Sequence, residues 1–106
     1  MDQLTQARYS ARARILKALA HPTRLFIVDT LAEAEHCVCE LTTLIGVDTS
    51  TVSKHLAVLK NAGVVDDEKR GNLVYYRLRT PCVRDFIACA ESVMRADLER
   101  QLDALG

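Results

Sequence analysis

Residues 35–65 read EHCVCELTTLIGVDTSTVSKHLAVLKNAGVV, and the fold turns on how this stretch is divided. "ELTTLIG" is a short apolar segment stopped by Gly46, which reads as a helix ended by a glycine. Asp48 can cap the next helix through its carboxylate, and "TSTVSKHLAVLKNAG" then carries Val52, Leu56, Val58 and Leu59 inward until Gly63 supplies a left-handed stop. A short helix, a glycine-containing turn and a longer helix make a helix-turn-helix. The outward positions of the longer helix are Thr49, Ser50, Ser53, Lys54 and Asn61, with no acidic residue among them.

Downstream, "VVDDEKRGNLVYYRLR" alternates Val74, Tyr76 and Leu78 against Leu73, Tyr75 and Arg77, and Gly71-Asn72 suits a tight hairpin turn. This predicts a two-stranded wing tipped by Lys69, Arg70 and Asn72. Upstream, Leu4, Ala7, Ala11, Ile15 and Leu19 recur at helical spacing with Arg8, Arg12 and Arg14 between them. A second helix begins at Pro22, where a missing amide costs nothing, and turns Leu25, Ile27, Val28 and Leu31 inward. The chain closes on an amphipathic helix with Val83, Phe86, Ile87, Ala90, Val93, Met94, Leu98, Leu102 and Leu105 on one stripe. The terminal helices carry more apolar surface than one copy can cover, so dimerisation through the first and last helices is expected.

At 106 residues and 49% hydrophobic content, the chain suits one packed domain spanning residues 1–106. The opening "MDQLTQARYSARAR" lacks the apolar run of a secretory signal or membrane anchor, so a cytoplasmic protein with no membrane partner is expected. In that compartment Cys37, Cys39, Cys82 and Cys89 point to thiol chemistry, metal binding or core packing before disulfides. Net charge is zero, but its distribution is uneven. Residues 49–80 hold six basic groups against three acidic, whereas residues 81–106 hold three basic against five acidic. A locally basic middle suits contact with the phosphates of double-stranded DNA.

In such a complex the second helix of the pair would enter the major groove while the wing meets phosphates. The DNA-binding candidates are Thr49, Ser50, Thr51, Ser53, Lys54 and His55 on the helix and Lys69, Arg70 and Asn72 on the wing. Each has an alternative as an ordinary solvated residue, and His55 fits internal packing equally well.

The segments "HPTRLFIVDTL", "CVCEL", "STVSKHLAVLKNAGVV" and "RGNLVYYRL", in this order, resemble the ArsR/SmtB family of metal-responsive transcriptional repressors, over nearly the whole chain. The resemblance implies a mainly α (α+β) winged helix-turn-helix of five helices with a two-stranded β-hairpin wing, and no enzyme. It further implies a homodimer that binds a palindromic operator without inducer and releases it when an ion binds. Arsenic- and cadmium-type members carry Cys-Val-Cys-Asp-Leu at the start of the first helix of the pair, matched here by Cys37-Val38-Cys39-Glu40-Leu41.

Thiolates are soft ligands that select thiophilic ions, so As(III) or Sb(III) is the first expected inducer, then Cd(II) or Pb(II), with Zn(II) also open. No catalytic cofactor is expected. Alternate residues point about 200° apart around an α-helix, so one ion reaches both sulfurs only if that turn is loosened or lies outside the helix.

Two departures from the family pattern matter. Thr42 stands where three-ligand arsenic-type members have a further cysteine soon after the pair, which leaves His36, Cys82 and Cys89 as candidates for a third ligand. The zinc-type site of the last helix is absent in its usual form, since the chain reads Thr80-Pro81-Cys82 and later Val93 and Ala96. Cys82 and Cys89 are therefore read first as buried cysteines of the dimer interface.

Three other readings compete with this one. A thiol-redox repressor of the same fold would oxidise Cys37 or Cys39 with a distant cysteine, because a bond between such close neighbours makes a strained ring. An enzyme lacks support: there is no Cys-x-x-Cys, no glycine-rich phosphate loop, and no ligand or triad spacing among His21, His36 and His55. A helical interaction module would leave the basic helix and wing unexplained.

Overall fold

The computed structural model describes residues 1–106. In chain order the elements are α1 (Gln3–Leu19), α2 (Pro22–Glu33), β1 (His36–Cys37), α3 (Val38–Ile45), α4 (Thr49–Asn61), β2 (Val65–Arg70), β3 (Leu73–Leu78) and α5 (Val83–Leu105). Five helices and a hairpin wing match the expected winged helix-turn-helix, with one addition. The wing is three-stranded, in the order β1-β3-β2, because β1 pairs antiparallel with β3 through His36↔Tyr76 and Cys37↔Tyr75.

Local chemistry sets the element ends. Asp2 accepts the Thr5 N–H at 2.7 Å to open α1, and His21 Nδ1 accepts the Thr23 N–H at 3.1 Å to open α2, with Pro22 in its first turn. Helix α4 starts at Asp48, whose carboxylate takes the Thr51 N–H at 3.1 Å, the Thr51 hydroxyl at 2.6 Å and the Ser50 hydroxyl. After α4, Gly63 adopts φ 80°, a conformation that costs a side-chain-bearing residue, and lets the chain reverse into β2. At the hairpin turn only Gly71 has positive φ, at 61°; Asn72 does not, so glycine alone carries the left-handed turn conformation.

The core joins all the helices and the base of the wing: Leu19, Ile27, Val28, Leu31, Leu41, Val52, Leu56, Leu59, Val64, Val65 and Val83. These are mostly the inward positions of the sequence pattern, with exceptions. Val58 and Leu25 lie at the surface rather than inside, because the arc of α4 and α2 covered by neighbours is narrower than the apolar stripe. On α1, Leu4 and Ile15 are exposed and only Ala18 and Leu19 are buried; on α5, Val83 is buried while Phe86, Val93, Met94, Leu98, Leu102 and Leu105 are uncovered. Nothing within one chain covers these terminal stripes. No helix is long and apolar enough to cross a membrane.

Candidate thiol site and nucleic-acid interface

Helix α3 begins two residues earlier than the sequence reading places it, and the reason is sulfur. Cys37 is its N-cap, with extended backbone at φ −77°, ψ 162°, and its Sγ accepts the Glu40 N–H at 3.3 Å. Glu40 returns the contact, its Oε1 accepting the Cys37 N–H at 3.1 Å, which completes a capping box with a cysteine sulfur in the place of the usual hydroxyl. The other Glu40 oxygen lies 3.3 Å from His36 Nδ1. The Cys37 amide first, then His36, hold the Glu40 carboxyl below the usual carboxylate range.

The extended cap residue brings the two sulfurs to one side. Cys37 and Cys39 have Cα atoms 5.4 Å apart, and their Sγ atoms are joined as a disulfide. This corrects the expectation that such near neighbours disfavour a mutual bond: with Cys37 outside the helix, the separation forced by helical geometry no longer applies. Cys37 is buried, at 2% exposure, whereas Cys39 is open to solvent.

Of the third-ligand candidates, His36 shares a hollow with Cys39, Glu40, Thr43 and Leu44. Cys82 is the cap residue just before α5 and Cys89 stands on that helix; both are exposed within one chain, and their expected burial at a dimer interface is a matter for the two-chain assembly. Cys82 lines a separate hollow with Asp29 and Glu91. No three of the His, Cys, Asp and Glu side chains gather closely enough in one chain to form a ligand cluster.

The cysteine pair lies beside both candidate DNA-contacting elements. A hollow of about 340 Å³ is lined by Cys37, Val38 and Cys39, by Thr49 and Ser53 of α4, and by Asn72, Leu73 and Val74 of the wing. Thr49, Ser50, Ser53 and Lys54 are exposed on α4, and Lys69, Arg70 and Asn72 are exposed at the wing tip. Their bonding differs. The hydroxyls of Ser50 and Thr51 are spent on Asp48, whereas Lys54 and Lys69 have no acidic partner within the chain.

Two candidates are held by their own chain. Arg70 forms a bidentate pair with Glu35, at 2.5 and 3.0 Å, contacts Glu68, and lies with its guanidinium carbon 4.6 Å from the Tyr75 ring centroid. His55 turns toward α2, where it contacts His21 and Arg24. Glu35 is the residue the sequence reading misses, and no local pattern flags it, because its partner lies 35 positions away.

The chain matches the profile of bacterial regulatory proteins of the arsR family over residues 21–67. It is 34% identical to the HTH-type transcriptional regulator Rv0081 of Mycobacterium tuberculosis over 92% of this chain and 86% of that protein. The crystal structure of Rv0081 superposes with a TM-score of 0.79, at 32% identity, covering 96% of this chain and 99% of the other. The solution structure of the homodimeric winged helix-turn-helix DNA-binding domain of Mb0332 from Mycobacterium bovis gives 0.81, at 33% identity, covering 94% and 93%. A homolog of the cadmium resistance regulatory protein CadC from Staphylococcus aureus is 41% identical over 71% of this chain and 63% of its own length. The chain therefore belongs to the ArsR/SmtB family of winged helix-turn-helix transcriptional regulators, a family of DNA-binding proteins rather than enzymes.

Proposed function

We propose that this protein is a thiophile-responsive repressor: a homodimer that holds a palindromic operator in its ion-free, reduced state and releases it when a soft ion binds Cys37 and Cys39. Arsenite or antimonite is the first inducer class, cadmium or lead the second, and zinc remains within reach of the same thiolates. The observation that carries this reading is the convergence of both sulfurs at the foot of the helix-turn-helix, in a hollow shared with Thr49 and Ser53 of α4. Kinship with a cadmium resistance regulator supports the choice of ligand class. Two copies joined through the uncovered stripes of α1 and α5 would present two α4 helices to half-sites about one DNA turn apart.

The mechanism follows from the capping box. An ion that takes up the Cys37 sulfur withdraws it from the Glu40 N–H, so the first turn of α3 must rearrange. Because α3 packs on α4, that change tilts one reading helix relative to its symmetry mate. A coupling of about 1–3 kcal/mol lowers operator affinity roughly 5- to 150-fold, enough for derepression.

One observation favours a second reading. The bond between Cys37 and Cys39 makes oxidation of this same pair an alternative trigger, with the distant cysteines uninvolved. A single experiment separates the two. The reduced protein is titrated with arsenite, cadmium and zinc while thiolate absorption is followed in the ultraviolet, and operator release is measured in parallel with a mild oxidant. The ion reading expects release by arsenite or cadmium under reducing conditions, lost in Cys37→Ser and Cys39→Ser. Release by oxidant alone supports the redox reading, and undiminished ion-driven release in both variants rejects the site.

A further inference from the structure

We infer that the Glu35–Arg70 ion pair is a positioning device that carries the state of the thiol pair to the wing. This rests on the reading of Cys37 and Cys39 as the inducer site. Glu35 stands two residues before Cys37, immediately ahead of β1, while Arg70 is the last residue of β2, next to the turn at the wing tip. The two are 35 residues apart in sequence, yet both guanidinium nitrogens meet both carboxylate oxygens, at 2.5 and 3.0 Å.

Arg70 is fixed from its other sides as well. Its Nε lies 3.3 Å from Glu68, which also holds Arg77 at 3.1 Å, and its guanidinium sits over the ring of Tyr75. Tyr75 is the ladder partner of Cys37. The thiol-bearing segment is thus tied to the wing at two places, through the strand pairing of Cys37 with Tyr75 and through the fork from Glu35 to Arg70.

An isolated exposed ion pair holds little, but a bidentate fork within a network of charges and an aromatic face is the exception. Its planar two-point geometry tolerates small shifts poorly. When the backbone at Cys37 moves to present its sulfur to an ion, Glu35 moves with it. The fork then either draws the wing tip along or lets go of Arg70; in both cases the wing's pose against phosphate changes. Without the fork, the sulfur site would act on DNA through α3 and α4 alone.

The test uses the full-length reduced protein and a duplex selected from a random-sequence pool by its ion-free form. Operator affinity is measured with and without cadmium, and in a parallel series with arsenite, for the unaltered chain, Glu35→Gln, Arg70→Gln and the double variant. Thiolate absorption reports occupancy in each. Expected is unchanged occupancy in both single variants with the ratio of the two affinities reduced roughly 2- to 30-fold, and no further reduction in the double variant. A general loss of stability would alter the melting temperature without altering that ratio.

If the unaltered protein releases DNA on ion binding and the variants release it equally well, the fork has no such role, while the inducer reading stands. Reduced occupancy in Glu35→Gln would place the pair in ion binding and overturn its role in transmission. If the unaltered protein takes up neither ion, or takes one up without releasing DNA, the inducer reading fails and this inference fails with it.

Discussion

The imidazole of His55 on helix α4 lies against that of His21, with centroids 4.5 Å apart and planes tilted by 42°, and its Nδ1 is 3.3 Å from a guanidinium nitrogen of Arg24. His21 Nδ1 is already committed as acceptor to the Thr23 N–H at the α2 terminus. Three basic side chains therefore share a half-buried seam between α2 and α4, with no acidic hydrogen-bond partner in it.

Acidification should strain that seam. Burial first, then the charges of His21 and Arg24, hold His55 below the ordinary imidazole value of 6.5. The unfolded chain takes up this proton at higher pH than the folded one. Stability from the site is therefore fully present above about 6.5 and is lost as pH falls from there through the folded value. The urea midpoint should hold steady from about pH 8 to 7 and drop as pH falls below about 6.5, with the drop flattened in His55→Gln. An identical pH profile in the variant would refute this assignment.

Asp48 is the next test, because it anchors the reading helix with three hydrogen bonds. The Ser50 and Thr51 hydroxyls and the Thr51 amide hold its carboxyl far below the usual range. This contribution is present above the unfolded value near 3.8 and disappears as acid protonates the folded carboxylate. At neutral pH, Asp48→Ala should lower the melting temperature by about 5 °C, while Asp48→Asn, which can still accept from the amide, loses less. Equal melting of the alanine variant and the unaltered chain would show that the cap contributes nothing.

Charge on the two faces of α4 makes a third, independent case. Lys54 is exposed and unpaired near the helix start, whereas Lys60 is bound to Asp67 at 2.9 Å, which raises its pKa and neutralises it locally. If the start of α4 faces phosphate, Lys54→Gln should make the logarithmic salt dependence of DNA binding shallower by about 0.9 for each subunit, about 1.8 for a dimer, and Lys60→Gln should leave the slope nearly as it was. The opposite ranking would put the DNA on another face.

Much of the architecture was legible because its signals are local. Asp48, the spacing of Val52, Leu56 and Leu59, and Gly63 announce α4 without reference to anything distant, and Gly71 announces the hairpin. Strand β1 left no such trace. Two residues long, it is a strand only because Tyr75 and Tyr76 pair with it from much later in the chain. The true start of α3 was hidden for a chemical reason, since cysteine is not among the usual cap residues. Periodicity found the apolar stripes of α1 and α5, and their extent already indicated that one chain would leave them bare. The thiol pair was visible by spacing; the fork from Glu35 to Arg70 and the seam at His55 are products of tertiary folding, with nothing nearby in sequence to betray them.

The unequal depth of the two sulfurs imposes an order of events. Cys39 faces water while Cys37 is shut away at the start of α3, so once the pair is reduced an incoming soft ion would meet Cys39 first and complete its grip only when the first helical turn frays. Under the proposed function, detection would then have two kinetic phases: a collision that scales with concentration, followed by an internal opening that does not. A brief exposure would end before the second phase, and the helix terminus would act as a timer that filters transient encounters from sustained ones.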